Sequence, residues 1–216
     1  MAESLVIGLV QGGTYGLIAL GLVLAYRGSR VINFAQAEIG TASLFIAWIF
    51  VGAWHLPYIV GALAAIVSSL IIGLLFEALV VRRLTNAPRM TVAVGTIGLM
   101  GLLIALEVYL NGPVPRYMRP PISGLGLQVF GFYVSPTQFL TFAVIGIIAA
   151  GLTLFLRRTD FGLALVAASE DPTAARLVGI PLSRVSMFTW GAAAVLSAIA
   201  ALLIEPTITL ISPNGI

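Results

Sequence analysis

The sequence predicts an all-α membrane protein, a polytopic bundle of about six transmembrane helices with its N-terminus outside. Three observations carry that prediction. Of 216 residues, 60% are apolar and 9% charged, too few polar groups to clothe a surface in water. The apolar residues gather into long stretches, several reaching the ~20 residues needed to cross ~30 Å of hydrocarbon. The 11 basic residues are all arginine, and most lie at alternate ends of those stretches.

In chain order, the first stretch runs from about Leu5 to Ala25 and stops at Tyr26-Arg27. The second, about Ile39 to Trp54, is short for a crossing and follows a polar segment, as a broken or re-entrant helix would. The third, Tyr58 to Val81, is almost unbroken and ends at Arg82-Arg83. The fourth covers about Thr91 to Leu110, the fifth Gln138 to Leu156 before Arg157-Arg158, and the sixth about Ser186 to Ile204. Backbone amides in lipid must be satisfied within their own segment, so these stretches are helices. None alternates polar and apolar residues as a barrel strand does.

Placing the N-terminus outside puts Arg27, Arg30, Arg82, Arg83, Arg89, Arg157, Arg158, Arg176 and Arg184 on the cytoplasmic side, and only Arg116 and Arg119 opposite. That distribution assigns the net charge of +3 to membrane orientation, not to nucleic acid. The acidic start Met1-Ala2-Glu3-Ser4, with basic residues only after the apolar run, does not read as a cleavable signal. No cysteine is present, which removes disulfides and thiolate metal chemistry. No lysine is present either, which removes a Walker A phosphate loop. With a single histidine, no nucleophile–base or metal constellation can be assembled, so no catalytic residue, metal or cofactor is expected. The whole of 1–216 reads as one transmembrane domain, with an external loop of about 111–136 and a cytoplasmic loop of about 157–184.

That internal loop has the sharpest local pattern. Thr159 or Asp160 caps a helix through Leu163 to Ala168. Asp171 then caps a second helix with Pro172 at its first position, Gly179 just past its end, and Pro181 forbidding continuation. Two turns cannot hold themselves together in water, so this helix packs against something. It either docks a partner through Glu170, Asp171, Thr173, Ala174, Arg176, Leu177 and Gly179, or folds back on its own bundle.

The stretch from Phe161-Gly162 through Glu170-Asp171-Pro172 and Ala174-Ala175-Arg176-Leu177 to Gly179-Ile180 resembles the cytoplasmic coupling loop of branched-chain amino acid type ABC transporter permeases. Gly13-Thr-Tyr-Gly-Leu-Ile-Ala-Leu-Gly-Leu with Val31-Ile-Asn-Phe-Ala-Gln-Ala-Glu38, and Gly95-Thr96-Ile97-Gly98-Leu99, resemble two further family signatures. These matches run in order over nearly the whole chain. One departure stands out: Gln36-Ala37 occupies the place of the family's usual His-Gly. The resemblance implies a permease subunit of an importer in the bacterial inner membrane, carrying a small polar solute such as a branched-chain amino acid. It implies separate ATP-binding-cassette ATPase subunits docked on 157–184, a second homologous permease, and an extracytoplasmic solute-binding protein. It also implies a chain that ends, at Pro213-Asn214-Gly215-Ile216, before the family's remaining helices.

Polar residues within the spans need a reason, because a charge at mid-bilayer costs ~2.5–3.5 kcal/mol on insertion scales. Asn33, Gln36 and Glu38 form a gate or brace at the cytoplasmic end of a pathway, or Glu38 caps a helix and pairs with Arg27 or Arg30. Gln11, Thr14 and Tyr15, set among glycines, line the path or bond between helices. Glu77 is expected to pair with Arg82, Glu107 and Glu205 to reach water at the outer ends, and Trp54 and Tyr58 to anchor at the interface. Gly191, Ala192, Ala198 and Ala201 give the sixth segment a face for close packing. A stand-alone secondary transporter or channel is the alternative, and it would need charged groups that the third, fifth and sixth segments lack apart from Glu77.

Overall fold

A computed structural model describes residues 2–84, 87–111, 127–129 and 132–209. Among the described residues, six helical segments are long and apolar enough to span a bilayer. They are built on α1 (Ala2–Ser29), α2 (Gln36–Trp48, continued by a π-helical turn to Ala53), α3 (Tyr58–Phe76, continued likewise to Val81), α4 (Arg89–Asn111), α5 (Pro136–Arg158) and α8 (Leu182–Thr209). Between the last two lie α6 (Asp160–Glu170) and α7 (Pro172–Leu177). The fold is therefore the all-α bundle expected, with one addition. A small antiparallel hairpin, β1 (Leu127–Val129) and β2 (Phe132–Val134), pairs Leu127 with Val134 and Val129 with Phe132 inside the connection 111–136. The remainder of that connection, including Arg116 and Arg119, lies outside the described residues.

Helix α8 is the centre of the bundle. Its spanning window is 56% buried, against 6% for α5, and α1, α2 and α3 all pack on it. Backbones come close because glycine faces α8 from each neighbour. A Cβ on Gly21 of α1 would lie 3.1 Å from the Ala193 carbonyl oxygen, one on Gly40 of α2 would lie 2.7 Å from that of Ser197, and one on Gly73 of α3 would lie 2.8 Å from that of Trp190. Close approach of this kind is how helices associate where lipid tails compete equally for apolar side chains. Ala193, Ala194, Ala198 and Ala200 of α8 are buried in return.

Two spans end in a π-helical turn, at Ile49–Ala53 and at Glu77–Val81. The second has a visible consequence. Residues five apart diverge on an α-helix, but a wider turn brings them onto one face. Arg82 N–H donates to the Glu77 carbonyl at 2.8 Å, and the Arg82 guanidinium reaches the Glu77 carboxylate, also at 2.8 Å. Glu77 is 1% exposed, so the expected pairing is made with a carboxylate sealed inside the bundle. Glu205 differs from expectation: it is buried beside Tyr58 and does not reach water.

Candidate functional site

Helix α1 stops because Arg30 takes the left-handed conformation, with φ of 59°, uncommon for a residue bearing a Cβ. The chain then turns back into the bundle as a non-helical run, residues 31–35, before α2 begins. Its depth follows from α8. Gln36 meets α8 at Ala193 and Ser197, about 16–22 Å along a helix rising ~1.5 Å per residue from Leu182. The broken stretch thus reaches the middle of the bundle, not its arginine-rich end.

Irregular backbone at that depth requires internal partners, and side chains supply several of them beside the backbone bond from the Gln36 amide to the Asn33 carbonyl. Asn33 Oδ1 accepts from the Ala35 amide at 3.1 Å, and Asn33 Nδ2 donates to Gln36 Oε1 at 3.0 Å. Gln36 Nε2 donates to the Ala193 carbonyl at 2.8 Å and to Ser197 Oγ at 2.7 Å. From α4, Thr96 Oγ1 accepts from the Phe34 amide at 3.2 Å. Asn33, Gln36 and Thr96 are all buried. This network locks the re-entrant run to α8 on one side and α4 on the other.

Glu38 lies apart from it, half-buried in the first turn of α2. It makes no ion pair with Arg27 or Arg30, which corrects one of the two readings of this residue. Its electrostatic neighbour is Glu107 of α4, whose Oε1 is buried without a hydrogen-bond partner. Thr14 is fully buried and donates within its own helix, to the Gln11 carbonyl at 2.8 Å and to that of Val10 at 3.3 Å, so its hydroxyl makes no bond between helices. Gln11 is partly buried, and Tyr15 is exposed on the flank of α1.

The second interruption, residues 159–181, turns outward. Thr159 caps α6, accepting from the Gly162 amide at 3.0 Å. Asp171 caps α7, accepting from the amides of Thr173 at 2.8 Å and Ala174 at 3.0 Å. At its end, Ile180 N–H donates to the Ala175 carbonyl and Gly179 N–H to that of Arg176, with Gly179 at φ of 87°. That is a Schellman stop, with Ile180 and Ala175 sharing an apolar cluster beneath it. Phe161 packs on Phe188 of α8 with ring centroids 4.9 Å apart, and Phe155 of α5 on the same ring at 5.3 Å. The stub therefore has a fixed base. Its tip is open: Leu177 is 85% and Val178 77% exposed, and Glu170, Asp171, Thr173, Ala174 and Gly179 are exposed around them. Arg176 is exposed too, and it borders a cavity between the stub and the bundle.

Arg30 joins the two interruptions. Its guanidinium donates to the Ser169 carbonyl, and to that of Glu170 at 3.2 Å, taking up bare carbonyls at the C-terminus of α6. Arg30, Thr96 and Ser197 are the functional candidates that sequence reading passes over. Thr96 alone carried a signal, as the polar residue of Gly95-Thr96-Ile97-Gly98 in an otherwise apolar span.

A bundle of six spans, with a braced break at mid-depth and a rigid stub at its arginine-rich end, is the build of a membrane permease. Comparison with known proteins gives the family. The description "Branched-chain amino acid transport system / permease component" matches residues 4–216, and the chain belongs to that family. It is 31% identical to the high-affinity branched-chain amino acid transport system permease protein BraD of Pseudomonas aeruginosa, over 98% of this chain and 73% of that one. It is 25% identical to the permease protein LivH of Escherichia coli over 95% of this chain and 71% of that one. It is also 27% identical to the probable branched-chain amino acid transport permease protein LivH of Methanocaldococcus jannaschii, over 81% and 56%. No solved structure matches. The protein is a multi-pass transport permease of the inner membrane.

Proposed function

We propose that this chain is a permease subunit of an ABC importer for branched-chain amino acids, driven by separate ATPase subunits that grip α6 and α7. The observation that carries the reading is the stub itself. A six-residue helix is marginal alone, yet here it is capped at both ends, seated on an apolar cluster through Ala175, and left with an apolar tip facing out. Rigidity at the base transmits force, while the exposed Leu177 and Val178 offer a knob for an apolar groove. Arg30 then passes movement of α6 to the re-entrant run, and Asn33 and Gln36 pass it to α8. Rocking of helices as rigid bodies about a central path is the expected form of the motion. Glu38 and Glu107 line that path in this reading, because carboxylates at membrane depth that have no cationic partner are retained where they face water or a polar solute.

The names of BraD and LivH support the choice of solute. A second homologous permease and an extracytoplasmic binding protein complete the assembly. The chain has no native cysteine, so Leu177→Cys places a single thiol on the knob. Expressed with its ATPase, that variant crosslinks to it through a short bifunctional reagent, and solute uptake stops once the bond forms. A thiol reachable only from the external face, or one that never meets the ATPase while uptake continues, would refute the docking and leave a stand-alone transporter.

A further inference from the structure

At the arginine-rich end, below the re-entrant run, the ends of α1, α3, α7 and α8 enclose a cavity of about 540 Å³. Its wall carries Arg27, Arg30, Arg82 and Arg176 against one carboxylate, Glu77. Glu77 is committed to Arg82. Arg30 commits one terminal nitrogen, Nη2, to the α6 carbonyls and keeps a buried Nε without a partner. Arg27 and Arg176 meet no carboxylate among the described residues. They come from different elements, one from the last turn of α1 and the other from α7, and the hydroxyl-bearing residues Ser183 and Ser186 of α8 line the same space.

We infer that this cavity binds a phosphate-bearing anion, presented either as the headgroup of an anionic phospholipid or as free phosphate. Three physical points support the assignment. Guanidinium groups lining one space repel one another, and an anion among them relieves that repulsion. Planar guanidinium forks match phosphate oxygens two at a time, which is why arginine leads wherever such oxygens are recognised. Basic pockets between spanning helices on the cytoplasmic side are where anionic headgroups bind. The volume falls within the range of small-ligand sites and accommodates a headgroup with its water. Because Arg176 belongs to α7 and Arg27 to α1, an anion held by both would tie the stub to the bundle and stiffen it.

The test uses the purified full chain without its ATPase, so its result is independent of ATPase docking. In one arm, protein reconstituted in phosphatidylcholine vesicles, with and without phosphatidylglycerol, is extracted and its retained lipid counted by native mass spectrometry. In the other, unfolding temperature in detergent is followed against inorganic phosphate, with sodium chloride at equal ionic strength as reference. Wild type is expected to retain phosphatidylglycerol, or to show a saturable phosphate-specific rise. Arg27→Gln with Arg176→Gln should weaken either response roughly tenfold or more, while Arg27→Lys with Arg176→Lys restores part of it. Arg83→Gln with Arg158→Gln, at exposed positions outside the cavity, should behave as wild type. Retained lipid without a phosphate effect identifies the headgroup as the source, and the converse identifies a soluble anion. If the glutamine pair misfolds, the wild-type arms decide alone. Absence of both responses in wild type, undiminished responses in the glutamine pair, or an equal loss in the control pair overturns the site.

Discussion

The chain breaks its helical pattern twice on the way to its arginine-rich end, and the two breaks are built in opposite ways. Residues 31–35 turn inward, and their polar groups are met by Asn33, Gln36, Thr96 and Ser197 from three different helices. Residues 159–181 turn outward, and their caps are supplied by Thr159, Asp171 and Gly179 within the same short segment, with Arg30 reaching in to the carbonyls of Ser169 and Glu170. The inward break depends on the whole bundle and the bundle on it. The outward break caps its own helices and is mounted on a fixed base. Mutations in the first should therefore cost stability, and mutations at the tip of the second should cost only the connection to a partner.

The largest expected effect is at the seam between α2 and α8. A side chain at Gly40 would start 2.7 Å from the Ser197 carbonyl oxygen, a backbone atom that cannot yield without moving α8. Gly40→Leu is expected to exceed the ~1–3 kcal/mol usual for overpacking and to abolish the folded protein, read as loss of a monodisperse peak in detergent. Next is Gln36→Leu, which keeps the volume but strands Asn33 Nδ2 and takes the donor away from Ser197 Oγ in a buried place. A loss of about 2–3 kcal/mol is expected, seen as a lower unfolding temperature, with Gln36→His retaining more of the stability because an imidazole can still donate. Equal stability of Gln36→Leu and wild type would mean the brace does not hold the break.

How far the sequence shows this follows from where each partner sits. Asp171-Pro172 and Gly179-Ile180-Pro181 specify the caps of α7 through residues at most five positions away, so its start and stop are readable in advance. Asn33, Gln36 and Glu38 stand out as polar residues before a short span, which marks a break. What holds it does not stand out, because Thr96, Ala193 and Ser197 are 60 to 160 positions distant and Gln36 at mid-depth looks the same as Gln36 at an interface. The same limit governs the helices. Both α5 and α8 are apolar for the length of a crossing, yet one is the periphery and the other the centre. Hydropathy locates spans; their order in space depends on which glycines of other helices face which small residues, a property of pairs.

A smaller effect is expected from the outward break's own cap. Asp171→Ala removes the acceptor for the amides of Thr173 and Ala174, at a cost of about 0.5–2 kcal/mol confined to α7. Global unfolding should barely move, while amide exchange over residues 172–177 accelerates. Should the whole bundle lose stability with this cap, the stub is not the independent device described above.

The smallest change in stability, and the sharpest contrast, belongs to Leu177→Asp. The side chain is 85% exposed and touches no part of the apolar cluster beneath α7, so the fold has nothing to lose and the unfolding temperature should stay within error. A docking groove has much to lose, because a carboxylate would be desolvated against apolar surface. Capture of the ATPase and solute uptake should fall together, while Gln36→Leu lowers uptake yet leaves capture of the ATPase by the folded protein intact. Normal ATPase capture by Leu177→Asp would place the grip elsewhere on the stub, and Val178, 77% exposed beside it, is the position to change next.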